Sequence, residues 1–150
     1  MCRRSFNQSA PAGNVVLRLV VDDYALGAEA IALALSQAGH EARFAFSADM
    51  AFERIQSWTP DVAVLDINMP WPDGFELAAR LHATSHAGDA VLIAYINEGV
   101  VKPMGIKVGF DGFYRKGKGV APLLAMMRLL HRCSWGKKQD LPARGRVICG

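Results

Sequence analysis

Residues 62 to 74 read VAVLDINMPWPDG, and the aspartate that ends the oily run decides how the rest of the chain is read. Val62-Ala63-Val64-Leu65 has no polar alternation, the pattern of a strand buried on both faces, as in a parallel sheet covered by helices. Asp66 then stands where that strand leaves the core, and Asn68, Pro70, Pro72 and Gly74 supply loop chemistry behind it. Ligands of open α/β sheets bind in the crevice beyond the carboxyl ends of the strands. A carboxylate at that point is either a site residue or a helix cap, and the flanking sequence has to decide.

Strand and helix patterns alternate on both sides of this stretch. VVLRLVV (15 to 21), EARFAF (41 to 46), VLIAY (91 to 95) and GFYRK (112 to 116) read as further strands. Ala25 to Ala38, with Gly39 as its stop, reads as a helix, as does the run from a Ser47 cap to about Trp58. The helix opened by Asp73 or Gly74 carries the apolar stripe Phe75, Leu77, Ala78 and Leu81. The last, Gly119 to His131, carries Leu123, Leu124, Met127 and Leu130. Five βα units predict an α/β fold with helices on both faces of a parallel sheet. The fourth helix is the weak one: NEGVVKPMGIKVG (97 to 109) holds Gly99, Pro103 and Gly105, so it should be short or broken.

At 150 residues, 51% apolar and 21% charged, the chain is one ordinary globular domain without need of staples. Cys2, Cys133 and Cys149 make no metal-binding spacing and suggest free thiols in a reducing compartment. The start has no apolar signal core and no run approaches a membrane span, so the expected location is cytoplasmic, with no membrane partner. Residues 15 to 131 carry a net charge of −3, while residues 1 to 14 add +2 and residues 132 to 150 add +4. The expected organisation is therefore a flexible N-terminal arm (1–14), a folded body (15–131) and a basic C-terminal tail (132–150). Such arms could contact nucleic acid or an acidic partner, but solvated ends explain them more simply. His40, His82, His86 and His131 show no ligand spacing and read as surface or helix-end residues. Trp71 is a candidate shield for whatever lies beyond Asp66.

Three strands end in charged groups: Asp22-Asp23 at the first, Asp66 at the third, Arg115-Lys116 at the fifth. A parallel sheet puts all these ends on one edge. Carboxylates crowded there repel unless a divalent cation sits among them, and hard oxygen donors in an open geometry suit Mg²⁺ completed by phosphate oxygens. A nearby lysine would face an anion held on that metal.

Taken together, VVDD, VLDINMPWPDG, LIAY and DGFYRK, in this order and spacing, resemble the receiver domain of bacterial two-component response regulators over about residues 15 to 131. The resemblance implies a flavodoxin-like (βα)5 three-layer sandwich around a central five-stranded parallel sheet. It implies a phosphoprotein: Asp66 would accept a phosphoryl group from a sensor histidine kinase or a phosphotransfer protein in a phosphorelay. Asp23 and Asp66 would hold Mg²⁺ directly, with Asp22 assisting and the Asn68 backbone carbonyl as a further ligand, and Lys116 would contact the phosphoryl oxygens. The chain would be a signalling protein, catalysing only its own phosphorylation and dephosphorylation.

The match also departs from the family. Ile93 is read in place of the usual Thr or Ser of the fourth strand, and Phe113 as the switch aromatic, so coupling to a conformational switch is in question. Gly117 follows Lys116 where the family usually has proline. A haloacid-dehalogenase-like phosphatase wants a second aspartate two residues after the first, and Asn68 stands there instead. A pseudo-receiver, binding partners independently of phosphate, is the alternative that Ile93 supports. The 19 residues after His131 are too few for a folded output domain, leaving only a basic tail for nucleic acid. The expected protein is a single-domain regulator signalling by protein contact, its downstream target and oligomeric state open.

Overall fold

The strand patterns assemble as one parallel sheet in a computed structural model, which describes residues 16–85, 87–97 and 109–140, with side chains of the last helix as far as residue 132. In chain order the elements are β1 (Leu17–Val21), α1 (Ala25–Gln37), β2 (Glu41–Ala45), α2 (Ala48–Gln56) and β3 (Val62–Asp66). They continue with α3 (Gly74–Ala83), β4 (Val91–Ile96), β5 (Gly112–Arg115) and α4 (Val120–Asp140). The strand order is β2-β1-β3-β4-β5 with every pair parallel, the flavodoxin-like doubly wound arrangement. Its order reverses at β1 and β3, and the crevice beyond their carboxyl ends is where such a sheet binds ligands.

Alternation along the strands sorts the core into two layers. Leu19, Val21, Ala63, Leu65, Leu92 and Ala94 face α2 and α3, and meet Ile55, Leu77, Ala78 and Leu81. Val20, Val62, Val64, Val91 and Ile93 face α1 and α4, and meet Ile31, Leu35, Leu123, Met127 and Leu130. Each fully buried Leu or Ile contributes about 1.5–3 kcal/mol relative to exposure, so two such layers hold the sheet between its helices. Ser47 caps α2, its hydroxyl accepting from Met50 N at 3.1 Å, and Asp73 caps α3, its carboxylate accepting from Glu76 N at 2.9 Å.

One expectation changes and another is not reached. The last helix runs on to Asp140 instead of stopping at His131, since the Lys-Lys-Gln stretch favours helix and Gly136 alone does not break it. The expected weak fourth helix falls almost wholly on residues 98–108, outside the described residues.

β2 is one edge of the sheet, and its Glu41 and Arg43 share the face that carries buried Ala45. Glu41 accepts a hydrogen bond from the Trp58 indole at 2.8 Å, and the Arg43 guanidinium lies 4.7 Å above the Trp58 ring. Those contacts pin Trp58, which is itself buried, over the end of α2.

Candidate functional site: an acidic pocket at the carboxyl edge

Asp66 is the last residue of β3 and only 1% exposed. The strand delivers it to the sheet edge, and the loop behind it then turns at once: Asn68 N donates to Asp66 Oδ1 at 3.0 Å. The loop closes back through Gly74, whose N–H donates to the Ile67 carbonyl at 3.4 Å. A Cβ on Gly74 would run into the Asp66 carbonyl oxygen and come within 2.7 Å of Ile67 Cα, so only glycine lets α3 start this close to the strand.

Asp22 follows β1, and its backbone N–H donates to Ala45 O at 3.1 Å. One of its carboxylate oxygens accepts from Tyr24 N at 3.0 Å, an Asx turn ahead of α1, whose N-cap Tyr24 receives no side-chain cap. Asp22 is therefore not a helix cap: its Oδ1 holds the turn, and Oδ2 faces Lys116 Nζ at 3.6 Å. Asp22 is buried and Asp23 exposed. Lys116 follows β5, tied by its N–H to Ile96 O at 2.7 Å, and its ammonium lies 3.0 Å from Asp66 Oδ1. Gly117 then takes φ 88°, a left-handed conformation closed to proline, so the family's usual proline does not fit this turn as built.

Burial pushes the Asp66 carboxyl above its ordinary range; Lys116 and the Asn68 N–H oppose that shift, and the neighbouring Asp22 adds to it. Asp22, Asp23 and Asp66 each offer a carboxylate oxygen, all within 4.8 Å of one another. Two buried carboxylates facing one partly exposed ammonium are short of positive charge. The same oxygens are hard donors, so the group fits a divalent cation such as Mg²⁺.

Sequence reasoning missed one residue here and misplaced another. Asp66 pairs across the sheet with Tyr95, and Ile93 pairs with Val64 two residues lower. Ile93 is fully buried in the layer under α1 and α4, so it is a core residue and adds no bulk to the pocket. Tyr95 occupies the level of Asp66. Its ring lies 5.2 Å from Lys116 Nζ and stacks on Tyr114 at 6.2 Å, and the Tyr114 hydroxyl donates to the Gly119 carbonyl. Burial raises the Tyr95 phenol's pKa; Lys116 opposes this, and Asp22 and Asp66 reinforce it. Phe113 pairs with Ala94, on the opposite face of the sheet from Tyr95, and its ring sits 6.3 Å from Phe110. Trp71 is 72% exposed and does not shield the pocket. Nor are two of the histidines plain surface groups: His82 Nε2 lies 2.9 Å from Gly109 O, and His40 contacts a buried arginine.

The placement of Ile93 yields a prediction. Ile93→Thr is expected to cost about 1–3 kcal/mol by burying a hydroxyl in an apolar layer, with phosphoryl-acceptor behaviour unchanged. Urea denaturation beside a phosphorylation time course reads both. A normal midpoint with altered phosphorylation would return Ile93 to the pocket.

A doubly wound parallel sheet with clustered carboxylates at its switch point and a lysine facing them sets these groups where open α/β sheets bind ligands, with donors suited to a divalent cation. The family model described as response regulator receiver domain matches residues 19–128, and the chain belongs to that family, a signalling module of two-component systems. Among curated relatives, response regulator MprA of Mycobacterium sp. (strain KMS) is 32% identical over 126 residues, covering 83% of this chain and 55% of the relative. MprA of Mycobacterium ulcerans is 32% identical over 114 residues, covering 76% and 49%. The chain thus spans about half the length of the curated relatives it matches. Of solved structures, NtrX from Brucella abortus superposes with a TM-score of 0.77 at 25% identity, over 85% of this chain and 29% of that one. A CheY-like receiver domain protein from Methanospirillum hungatei superposes with a TM-score of 0.75 at 19% identity, over 83% and 99%, a likeness of fold. Receiver domains interact with histidine kinases or phosphotransfer proteins and typically bind Mg²⁺. Among the described residues, no helix is long and apolar enough to cross a membrane.

Proposed function

We propose that this chain is a phosphoacceptor receiver: Asp66 takes a phosphoryl group from a phosphohistidine of a sensor kinase or phosphotransfer protein and signals by protein contact. The observation that carries the proposal is the seating of Asp66, buried at the strand end with the Lys116 ammonium 3.0 Å away and two further carboxylates beside it. An Asp66 oxygen attacks phosphorus and the phosphorus–nitrogen bond to the donor imidazole breaks. The product is an acyl phosphate on Asp66 and a free imidazole.

Two negative groups approach each other in that step, so the barrier is chiefly electrostatic. Lys116, its backbone anchored to the Ile96 carbonyl and its ammonium held between Asp66 and Asp22, meets a phosphoryl oxygen with positive charge. Asp22, Asp23, Asp66 and the Asn68 carbonyl are the groups that would hold Mg²⁺. When bound, Mg²⁺ would supply the charge that the three carboxylates lack and neutralise the transferring oxygens. Tyr95, level with Asp66, positions Lys116 through its ring face, the place where Ile93 was expected.

Intact-mass analysis after incubation with phosphoramidate and MgCl₂ tests the reading, beside an Asp66→Ala control. The expected result is a single phosphoryl adduct of the wild-type chain that requires Mg²⁺ and is absent from the control. A folded wild-type protein that takes no phosphoryl group from phosphoramidate or from a phosphorylated kinase domain would overturn it in favour of phosphate-independent binding.

A further inference from the structure

At the amino ends of the strands, far along β1 from the acidic pocket, lies a group that the phosphoryl chemistry does not use. Arg18 is the second residue of β1 and 0% exposed, with its side chain under α1 and α4 by the alternation that it shares with Val20. An arginine carries five N–H donors and is charged at any physiological pH. Here Nη2 lies 3.3 Å from His40 Nε2, and Nε and Nη1 have no partner. His40 Nδ1, also buried, has none either.

Among the described residues, the surroundings do not balance the charge. Burial first, then Arg128, lowers the Arg18 pKa to about 10, against an attraction from Asp61. Asp61 is already engaged, its Oδ2 accepting from Leu17 N at 2.8 Å. Burial, Arg18, Arg128 and His131 together push His40 down to about 4, so at neutral pH His40 is an uncharged acceptor for Arg18. Arg128 thus works against the Arg18 charge, and the Asp61 carboxylate that works for it is already engaged. An unmet buried guanidinium costs several kcal/mol, and buried polar atoms without partners point to a missing water or ion. Water would supply acceptors without charge. An oxyanion supplies both.

We infer that Arg18, His40, Arg128 and His131 form a second binding site, for a small oxyanion (phosphate or a carboxylate), at the end of the sheet opposite Asp66. Arg18 is its buried floor, half-buried His40 is its neutral neighbour, and exposed Arg128 and half-buried His131 stand toward the surface. The site stands apart from the phosphoacceptor reading and does not depend on it.

Thermal unfolding of the full chain in EDTA tests the site without involving the acidic pocket. Sodium phosphate, sodium acetate and sodium chloride are compared at equal ionic strength. Phosphate or acetate is expected to raise the midpoint by roughly 5 °C near saturation over chloride, and whichever acts identifies the source of the anion. Arg18→Met should abolish the rise, and Arg128→Ala, a surface change that leaves the core intact, should weaken the response several-fold. The inference is overturned if neither oxyanion exceeds chloride, or if both variants respond as the wild type does.

Discussion

Lys116→Met is expected to slow phosphoryl transfer to Asp66 by roughly 10²–10³-fold, the range found on removing one positioned donor from a developing anion. Lys116 Nζ lies 3.0 Å from Asp66 and 3.6 Å from Asp22, and methionine keeps the length of the stem while removing its charge. The same substitution strips the counter-charge from two buried carboxylates. Breaking a fully buried pair costs about 3–5 kcal/mol, but the lysine is 24% exposed, which reduces the expected loss to about 1–3 kcal/mol. Adding MgCl₂ should restore most of that stability and little of the rate, because the cation can neutralise Asp22 and Asp66 but cannot stand where the ammonium stands. Urea denaturation with and without MgCl₂, beside phosphoramidate kinetics, separates the two losses. A variant that phosphorylates at the wild-type rate would remove Lys116 from the chemistry.

The second expectation runs the other way. Asp66→Asn should abolish phosphorylation and stabilise the metal-free chain at neutral pH by about 1–2 kcal/mol. Asparagine can still accept from Asn68 N, so the turn after β3 survives while one buried charge disappears. The sign follows from the raised carboxyl. The folded chain holds the Asp66 proton more tightly than the unfolded chain does, so this group favours folding most below its ordinary value of 3.8. That advantage fades as pH rises through the window up to the higher folded value. The metal-free wild type should therefore lose stability over that window relative to Asp66→Asn, and the gap should narrow when Mg²⁺ is present. Midpoints for the two proteins from pH 4 to pH 8, in EDTA and in MgCl₂, test this. Parallel curves in EDTA would mean that Asp66 carries no buried-charge penalty.

Most of the fold was legible because its signals are of the kind that sequence carries well. Val62 to Leu65 has no polar residue, Gly39 stops α1, and Asp73 caps α3, so strand and helix limits could be placed within a residue or two. The clustering of Asp22, Asp23, Asp66 and Lys116 follows from topology alone, since parallel strands deliver their ends to one edge. What stayed hidden was register. An apolar strand carries no side-chain mark of its level relative to its neighbour, and the alanine in VLIAY drew the match to Ile93. Backbone pairing sets Tyr95 opposite Asp66 instead, two residues on, which in a strand is the same face and the next level. The end of α4 was hidden for a different reason. Lysines and a glutamine after His131 look like a solvated tail and are also good helix formers, so composition does not distinguish the two. Arg18 was passed over because one charge inside VVLRLVV does not alter a strand pattern, whatever it does to the electrostatics of the core.

The charged border at β2 bears on how such a chain behaves when crowded with its own copies. A parallel sheet ends in two open ladders, each a template on which another strand can grow. Glu41 and Arg43 put opposite charges on the strand that borders one of these ladders, and both are held in place by Trp58 on the face of the sheet. Charges of this kind on an edge strand work against the addition of another chain.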